Sequence, residues 1–355
     1  MTEHTNETST SPTSNAQPAP ASRVTLRTSN GPQFAKIMGV GGYRPRRVVD
    51  NAEIVTYIDS SDEWIQTRSG IKERRWAGED ETVKMMSIEA ATKAIDRSGL
   101  DPAQIDAVIV STVTHLHQTP SIATTIASEL GATGAAAFDI SAACAGFCYG
   151  TAMADTMVRG GSAKHVLVIG VERLSDMTDK HDRSTAFIFA DGAGAAVVGP
   201  SDTPAIGPVV WGSDGDQADL INQSESWDEA MKSDTPRWPV LQMKGNPVFK
   251  WASYTMAKAA AEAMDAAGVR PEDLEVFIPH QANMRITDAM FRALKLPSDV
   301  VIARDIAFQG NTSAASIPLA METLLETGQA HSGQLALIIG FGAGLVYAGQ
   351  VVVLP

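Results

Sequence analysis

Gly99-Leu-Asp-Pro102-Ala-Gln-Ile105-Asp-Ala-Val108 returns downstream as Gly268-Val-Arg-Pro271-Glu-Asp-Leu274-Glu-Val-Phe277. The match extends outward. Asp139-Ile140 precedes Cys144 as Asp305-Ile306 precedes Asn311, and Val166-Leu-Val-Ile-Gly170 matches Ala336-Leu-Ile-Ile-Gly340. The chain therefore reads as two copies of one unit. Val108-Ile-Val110 and Val166-Leu-Val-Ile169 are short continuous apolar runs, the pattern of strands buried on both faces. Their alternation with helical segments implies parallel pairing and an α/β class. One such helix starts at Asp80-Glu81-Thr82 and stops at Gly99, with Asp101-Pro102 beyond it. The duplication sets Cys144 and Asn311 at equivalent places, each after a strand and at the start of an Ala-rich helix. A pseudo-twofold arrangement would bring those two helix starts together.

The 355 residues suffice for a duplicated domain with a large core. The halves are drawn as 23–207 and 208–355. Ordered structure is expected to begin near Phe34. Residues 1–22, rich in Thr, Ser, Asn and Pro and without Lys or Arg, read as a disordered tail with no secretory or transit character. Pro208 to Asp234 is an Asp-rich connection expected to fold over the surface. Hydrophobic content of 44% and charged content of 19% describe a soluble globular protein. A formal net charge of −13 argues against general nucleic-acid binding. No apolar run has the length of a membrane span. Cys144 and Cys148 are the two cysteines, so a disulfide framework and a zinc site are both poor readings. A reducing, cytoplasmic compartment fits them.

Three segments carry candidate chemistry: Ser141-Ala-Ala-Cys144-Ala-Gly-Phe147, Pro279-His280-Gln-Ala-Asn283, and Gly310-Asn311-Thr-Ser-Ala-Ala-Ser-Ile-Pro318. A cysteine among alanines is most often core packing. Here the small neighbours clear space around the sulfur, and a helix N-terminus favours the thiolate. Cys148, one turn deeper, reads as structural. His280 follows Val276-Phe-Ile-Pro279, at the C-terminal end of a buried strand, where ligands gather in open α/β sheets. Asn311 alone would be a helix N-cap; its place in the duplication favours a functional part. Asp191-Gly-Ala-Gly194 lacks the lysine and spacing of a phosphate loop and reads as a tight turn between strands. His115 and His117 have no third ligand and read as wall residues near the site.

These three segments, with Ser61-Asp-Glu-Trp64-Ile-Gln-Thr-Arg68-Ser-Gly-Ile71 and Phe189-Ala-Asp191-Gly-Ala-Gly194-Ala, resemble the signatures of β-ketoacyl-acyl-carrier-protein synthase III, the initiating condensing enzyme of type II fatty-acid synthesis. The resemblance covers essentially everything after the tail. It implies a duplicated thiolase-like fold, five-layered αβαβα with two mixed β-sheets. It also implies that Cys144 takes the acyl group from an acyl-CoA primer. Malonyl-acyl-carrier protein would then lose CO₂, and His280 and Asn311 would donate hydrogen bonds to the resulting enolate. His280 would also help deprotonate Cys144. Backbone N–H groups of Cys144 and Ala343 would form the oxyanion hole of acyl transfer. Many relatives carry Gly at the position of Ala343, which matters only if the backbone there needs positive φ.

By the same resemblance Trp64 and Arg183 sandwich the CoA adenine, Arg68 meets its phosphates, and Asn246 meets the pantetheine. Thr119, reaching across a dimer interface, sets the length of an acyl pocket that Phe187, Met243 and Phe341 also line. No cofactor is implied, since acyl-CoA and malonyl-acyl-carrier protein are substrates. The implied assembly is a homodimer. Lys250, Arg285 and Arg292 are candidates for docking the acidic carrier protein, Arg285 and Arg292 sharing one helix face. Two other classes compete. An acyltransferase or hydrolase would not need two enolate donors, and a silent scaffold would tolerate loss of Cys144, His280 or Asn311. A third alternative keeps the chemistry but serves a specialised, polyketide-type pathway.

Overall fold

The computed structural model describes Met1 and residues 26–355. Apart from Met1, the tail reading on 1–22 lies outside the described residues. Two five-stranded sheets organise the rest. The first contains β1 (Phe34–Tyr43), β2 (Ala107–Ser111), β3 (Ala136–Ile140), β4 (Val166–Arg173) and β5 (Asp191–Ser201), side by side in the order β3-β2-β4-β5-β1. The second contains β6 (Val210–Ser213), β7 (Val276–Pro279), β8 (Val301–Ile302), β9 (Leu335–Gly342) and β10 (Val346–Val353), in the order β8-β7-β9-β10-β6. Each strand of one sheet has its counterpart at the same place in the other. In each order the first three strands pair in parallel and the remaining two pairings are antiparallel, so both sheets are mixed. The register repeats too: Ala107 faces Val166, and Val276 faces Ala336. These are the pairs the sequence repeat aligns.

Helices complete five layers. Helices α1 (Val83–Ser98) and α2 (Ile122–Leu130) pack on the outer face of the first sheet. Helices α4 (Gly245–Ala267) and α5 (Met284–Ala293) pack on the outer face of the second. Between the sheets lie α3 (Gly146–Gly160) and α6 (Ser316–Glu326). Their shared core includes Ile109, Phe147, Val168, Ile278, Ile317 and Ile338. Helix α1 is capped by Thr82 and stopped by left-handed Gly99, as its sequence requires.

Three local expectations change. Val210–Ser213, expected to lie in the surface connection, pairs with β10 as an edge strand. Asp191-Gly-Ala-Gly194 is not a turn but the start of β5. The Asp191 carboxylate accepts the N–H groups of Ala77 and Ser175, and a Cβ on Gly194 would lie 2.6 Å from Pro318. Glycine there admits the central helix layer. Finally, Asp139 and Asp305 are not counterparts. Asp139 lies in β3 and caps α2, whereas Asp305 lies beyond β8 and opens the short helix Ile306–Gln309.

Candidate active site

Cys144 sits in a one-turn 3-10 segment, Ala143–Ala145, that feeds directly into α3. Ser313–Ala315 feeds α6 in the same way. Both segments begin with a left-handed non-glycine residue, Ala143 at φ 43° and Ser313 at φ 49°. This shared irregularity fixes the alignment. The counterpart of Cys144 is Ala314, and Asn311, three residues earlier, corresponds to Ser141. The repeat thus brings Asn311 to the site but not as the equivalent of Cys144.

Gly342, at the end of β9, closes one side of Cys144. A Cβ there would stand 2.9 Å from Cys144 Sγ. Burial pushes the Cys144 thiol up to about 12; the Ser313 hydroxyl opposes that shift and the Glu172 charge adds to it. A cavity reaches the sulfur and leaves the residue part-exposed, which softens the penalty, and the N-terminus of α3 favours the thiolate further. Cys148 is fully buried and its thiol is also pushed up to about 12 by burial, which fits its structural reading.

His280 ends β7 and is 1% exposed. Its backbone N–H donates to Ile339 O at 2.8 Å, and its ring Nδ1 lies 2.7 Å from Ser316 Oγ. Ser316 Oγ also accepts the Gln281 N–H at 3.3 Å. With the Ser316 hydroxyl donating to Nδ1, the ring proton lies on Nε2. Burial lowers the pKa of His280 to about 3, so the ring is neutral. Asn311 Oδ1 accepts the Ser313 N–H at 2.9 Å. That bond orients the amide, and its NH₂ group is free to face the cavity that Asn311 lines. Two neutral donors and one thiol therefore converge.

The cavity has a volume of about 300 Å³. It opens past Trp64, Arg68, Asn246 and Arg285 and is apolar around Phe187, Met243 and Phe341. Phe341 meets the His280 ring edge-on at 5.3 Å between centroids. Among the described residues no group of three or more His, Cys, Asp or Glu could hold a metal.

Two family profiles match the chain: 3-oxoacyl-[acyl-carrier-protein] synthase III over residues 138–215, and its C-terminal part over residues 264–354. A β-ketoacyl-[acyl-carrier-protein] synthase III from Streptomyces glaucescens is 60% identical over 330 residues, which span 93% of this chain and 99% of the relative. The chain belongs to this family.

Another synthase III, the mycobacterial enzyme of Mycobacterium avium, is 53% identical over 93% of this chain and 98% of its own. Among solved structures, the priming β-ketosynthase of the R1128 polyketide pathway superposes with a TM-score of 0.91 at 49% identity, covering 93% of this chain and 98% of that one. A synthase III from Aquifex aeolicus superposes with a TM-score of 0.83 at 39% identity, covering 90% and 99%. The duplicated thiolase-like fold is the fold of this synthase III family.

Several residues singled out from the synthase III signatures stand apart from the cavity. Arg183 lies outside its lining and stacks on Trp64, with its guanidinium 4.5 Å from the ring centroid. A base between the two requires that stack to open. Thr119 is exposed and does not line the cavity of its own chain. His115 and His117 border a second cavity instead, with Lys84, Arg173 and Asp176. Ala343 has no positive φ, so a side chain is tolerated there; Gly342 rather than Ala343 lines the cavity. Lys250, Arg285 and Arg292 are exposed and form no ion pair among the described residues. Arg285 lies over the Phe249 ring at the cavity mouth. Sequence reasoning missed Glu172, Ser313 and Ser316. The one signal was a glutamate ending the apolar run Val166–Val171.

Proposed function

We propose that this chain joins an acyl-CoA primer to malonyl-acyl-carrier protein by decarboxylative Claisen condensation, giving the β-ketoacyl-acyl-carrier protein that initiates type II fatty-acid synthesis. The convergence of Cys144, His280 and Asn311 on one cavity carries the reading. Cys144 attacks the thioester carbonyl and keeps the acyl group. The backbone N–H groups of Cys144 and Ala343 receive the oxyanion. Malonyl decarboxylation leaves an enolate oxygen facing His280 Nε2–H and the Asn311 amide. The enolate carbon attacks acyl-Cys144 and expels the thiolate. No cofactor takes part.

Trp64, Arg68, Arg183 and Asn246 hold CoA along the open side of the cavity. Lys250, Arg285 and Arg292 attract the acidic carrier protein. The protein works as a cytoplasmic homodimer. In support, β3 is an edge strand whose outer side has no partner among the described residues, and Phe138 and Ile140 on it are part-exposed. In that assembly Thr119 borders the partner's acyl pocket.

The R1128 likeness favours a second reading, in which the same chemistry primes a polyketide-type pathway. One experiment separates the readings. The protein is loaded with a panel of acyl-CoAs and its intact mass is read; malonyl-carrier protein is then added and the product identified. An acylated protein that condenses supports the proposal, and preference for unusual primers supports the specialised pathway. Acylation without condensation would point to a simple acyltransferase.

A further inference from the structure

Glu172 is the last acidic residue of β4, 0% exposed, at the back of the site. Its carboxylate accepts the Thr114 hydroxyl at 2.8 Å, the Thr112 hydroxyl at 3.3 Å, the Val113 N–H at 3.1 Å and the Ser313 hydroxyl at 3.3 Å. No Lys, Arg or His is paired with it among the described residues. The Arg173 guanidinium, next in sequence, pairs with Asp176 at 3.0 Å. The turn that carries Cys144 packs against the turn that carries Ser313, so the Ser313 hydroxyl, bonded to Glu172 at 3.3 Å, stands between that carboxylate and the Cys144 segment. An uncompensated buried carboxylate is costly, and the strand could have continued with valine. Nothing in the proposed steps uses it.

Resting on the reading of Cys144 as the acylated nucleophile, we propose that Glu172, through the Ser313 hydroxyl, takes the Cys144 proton during acylation and holds it until product forms. As Sγ bonds to the thioester carbon, the S–H proton passes to Ser313 Oγ and the Ser313 proton passes to Glu172. The C–S bond to CoA breaks, and the CoA thiolate leaves and is protonated by water. Glu172 is then a neutral acid while the malonyl carboxylate and its enolate occupy the cavity. Collapse of the second tetrahedral intermediate expels the Cys144 thiolate, and the proton returns by the same route. Charge and protons balance over the cycle. At no stage do two unpaired anions share the buried site.

His280 is unsuited to this task. Its Nδ1 is engaged by Ser316, and its Nε2 carries the proton it donates to the enolate. Burial raises Glu172 from 4.5 to about 7, which suits a base working near neutral pH.

The test follows single-turnover acylation by acetyl-CoA, read as intact mass from about pH 6 to about pH 8. Wild type should speed up as pH rises through about 7. Glu172→Gln should lose that rise and acylate about a hundredfold more slowly, the lower end for a positioned base. Ser313→Ala interrupts the relay while leaving Glu172 in place, and Ala143 already shows that alanine accepts this left-handed geometry. It should behave like Glu172→Gln and carries the test should Glu172→Gln fail to fold. Infrared difference spectra should show a protonated-carboxyl band appearing on acylation of wild type and absent from Glu172→Gln. Unchanged rate and pH profile in a folded variant, or no carboxyl band in wild type, overturns the inference alone. No adduct on Cys144 of wild type overturns the reading of the site and this inference with it.

Discussion

His280 Nδ1 and Ser316 Oγ lie 2.7 Å apart, joining the end of β7 to the first residue of α6. With Ser316 as the donor in this contact, the ring proton lies on Nε2 and His280 can donate from there. Replacing either proposed enolate donor, by His280→Ala or Asn311→Ala, should cut malonyl decarboxylation about a hundredfold or more. Acylation of Cys144 should persist in part. Ser316→Ala should give a smaller loss confined to decarboxylation. Peptide mapping after acetyl-CoA treatment, with separate assays of the two half-reactions, checks all three.

Gly342 is a steric requirement of Cys144. Its absent Cβ would sit 2.8 Å from Cys144 Cβ and 3.0 Å from Cys144 N, a clash between backbone-anchored atoms. Gly342→Ala should therefore displace Cys144 and abolish acylation. Gly215→Ala, where a Cβ would meet nothing within 4 Å, should acylate normally. Intact mass spectrometry distinguishes the two.

Arg285→Glu places a negative charge at the cavity mouth. KM for malonyl-carrier protein should rise about tenfold and its salt dependence should weaken. Unchanged kinetics with the carrier protein would place its docking elsewhere.

Buried acids give stability a definite pH slope. Burial raises Glu172 to about 7 and Asp191 to about 6. A folded-state pKa above the unfolded one means that the native state holds the proton more tightly. The associated stability is complete below ordinary carboxylate values and is lost as pH rises through about 7. Glu172 and Asp191 lower denaturant midpoints as pH rises toward about 7, while His280, lowered by burial to about 3, adds stability as pH rises toward its ordinary 6.5; the Glu172→Gln profile should therefore fall less, or rise more, than wild type. A slope equal to wild type would show that Glu172 does not titrate there.

Strand and helix identity were legible because burial on both faces writes continuous apolar runs, and because Gly99 and Gly268 punctuate both copies. The duplication was legible for the same reason, and the structure returns its register at Ala107–Val166 and Val276–Ala336. The Asp-Ile match misled because identical dipeptides serve different ends, one inside β3 and the other opening a helical turn. It set Asn311 against Cys144, whereas the left-handed turns align Ala314 with it. Backbone conformation of this kind leaves little trace when the residue is Ala or Ser rather than Gly. Thr119 and Arg183 were named from the resemblance alone, and the single chain does not bring either into the cavity lining. Glu172, Ser313 and Ser316 act through contacts between distant segments, which no local pattern encodes.

The two left-handed turns carry a lesson about rigidity. A side chain at positive φ costs about 1 kcal/mol or more that glycine would avoid. Both copies keep the side chain, at Ala143 and at Ser313. A glycine hinge beside the nucleophile would gain local ease and lose definition, since a freer backbone samples more positions for Sγ. Ala143 and Ser313 restrict that freedom beside Cys144. The surrounding contacts, among them the Ser313 N–H to Asn311 Oδ1 at 2.9 Å, hold the left-handed geometry against its local cost.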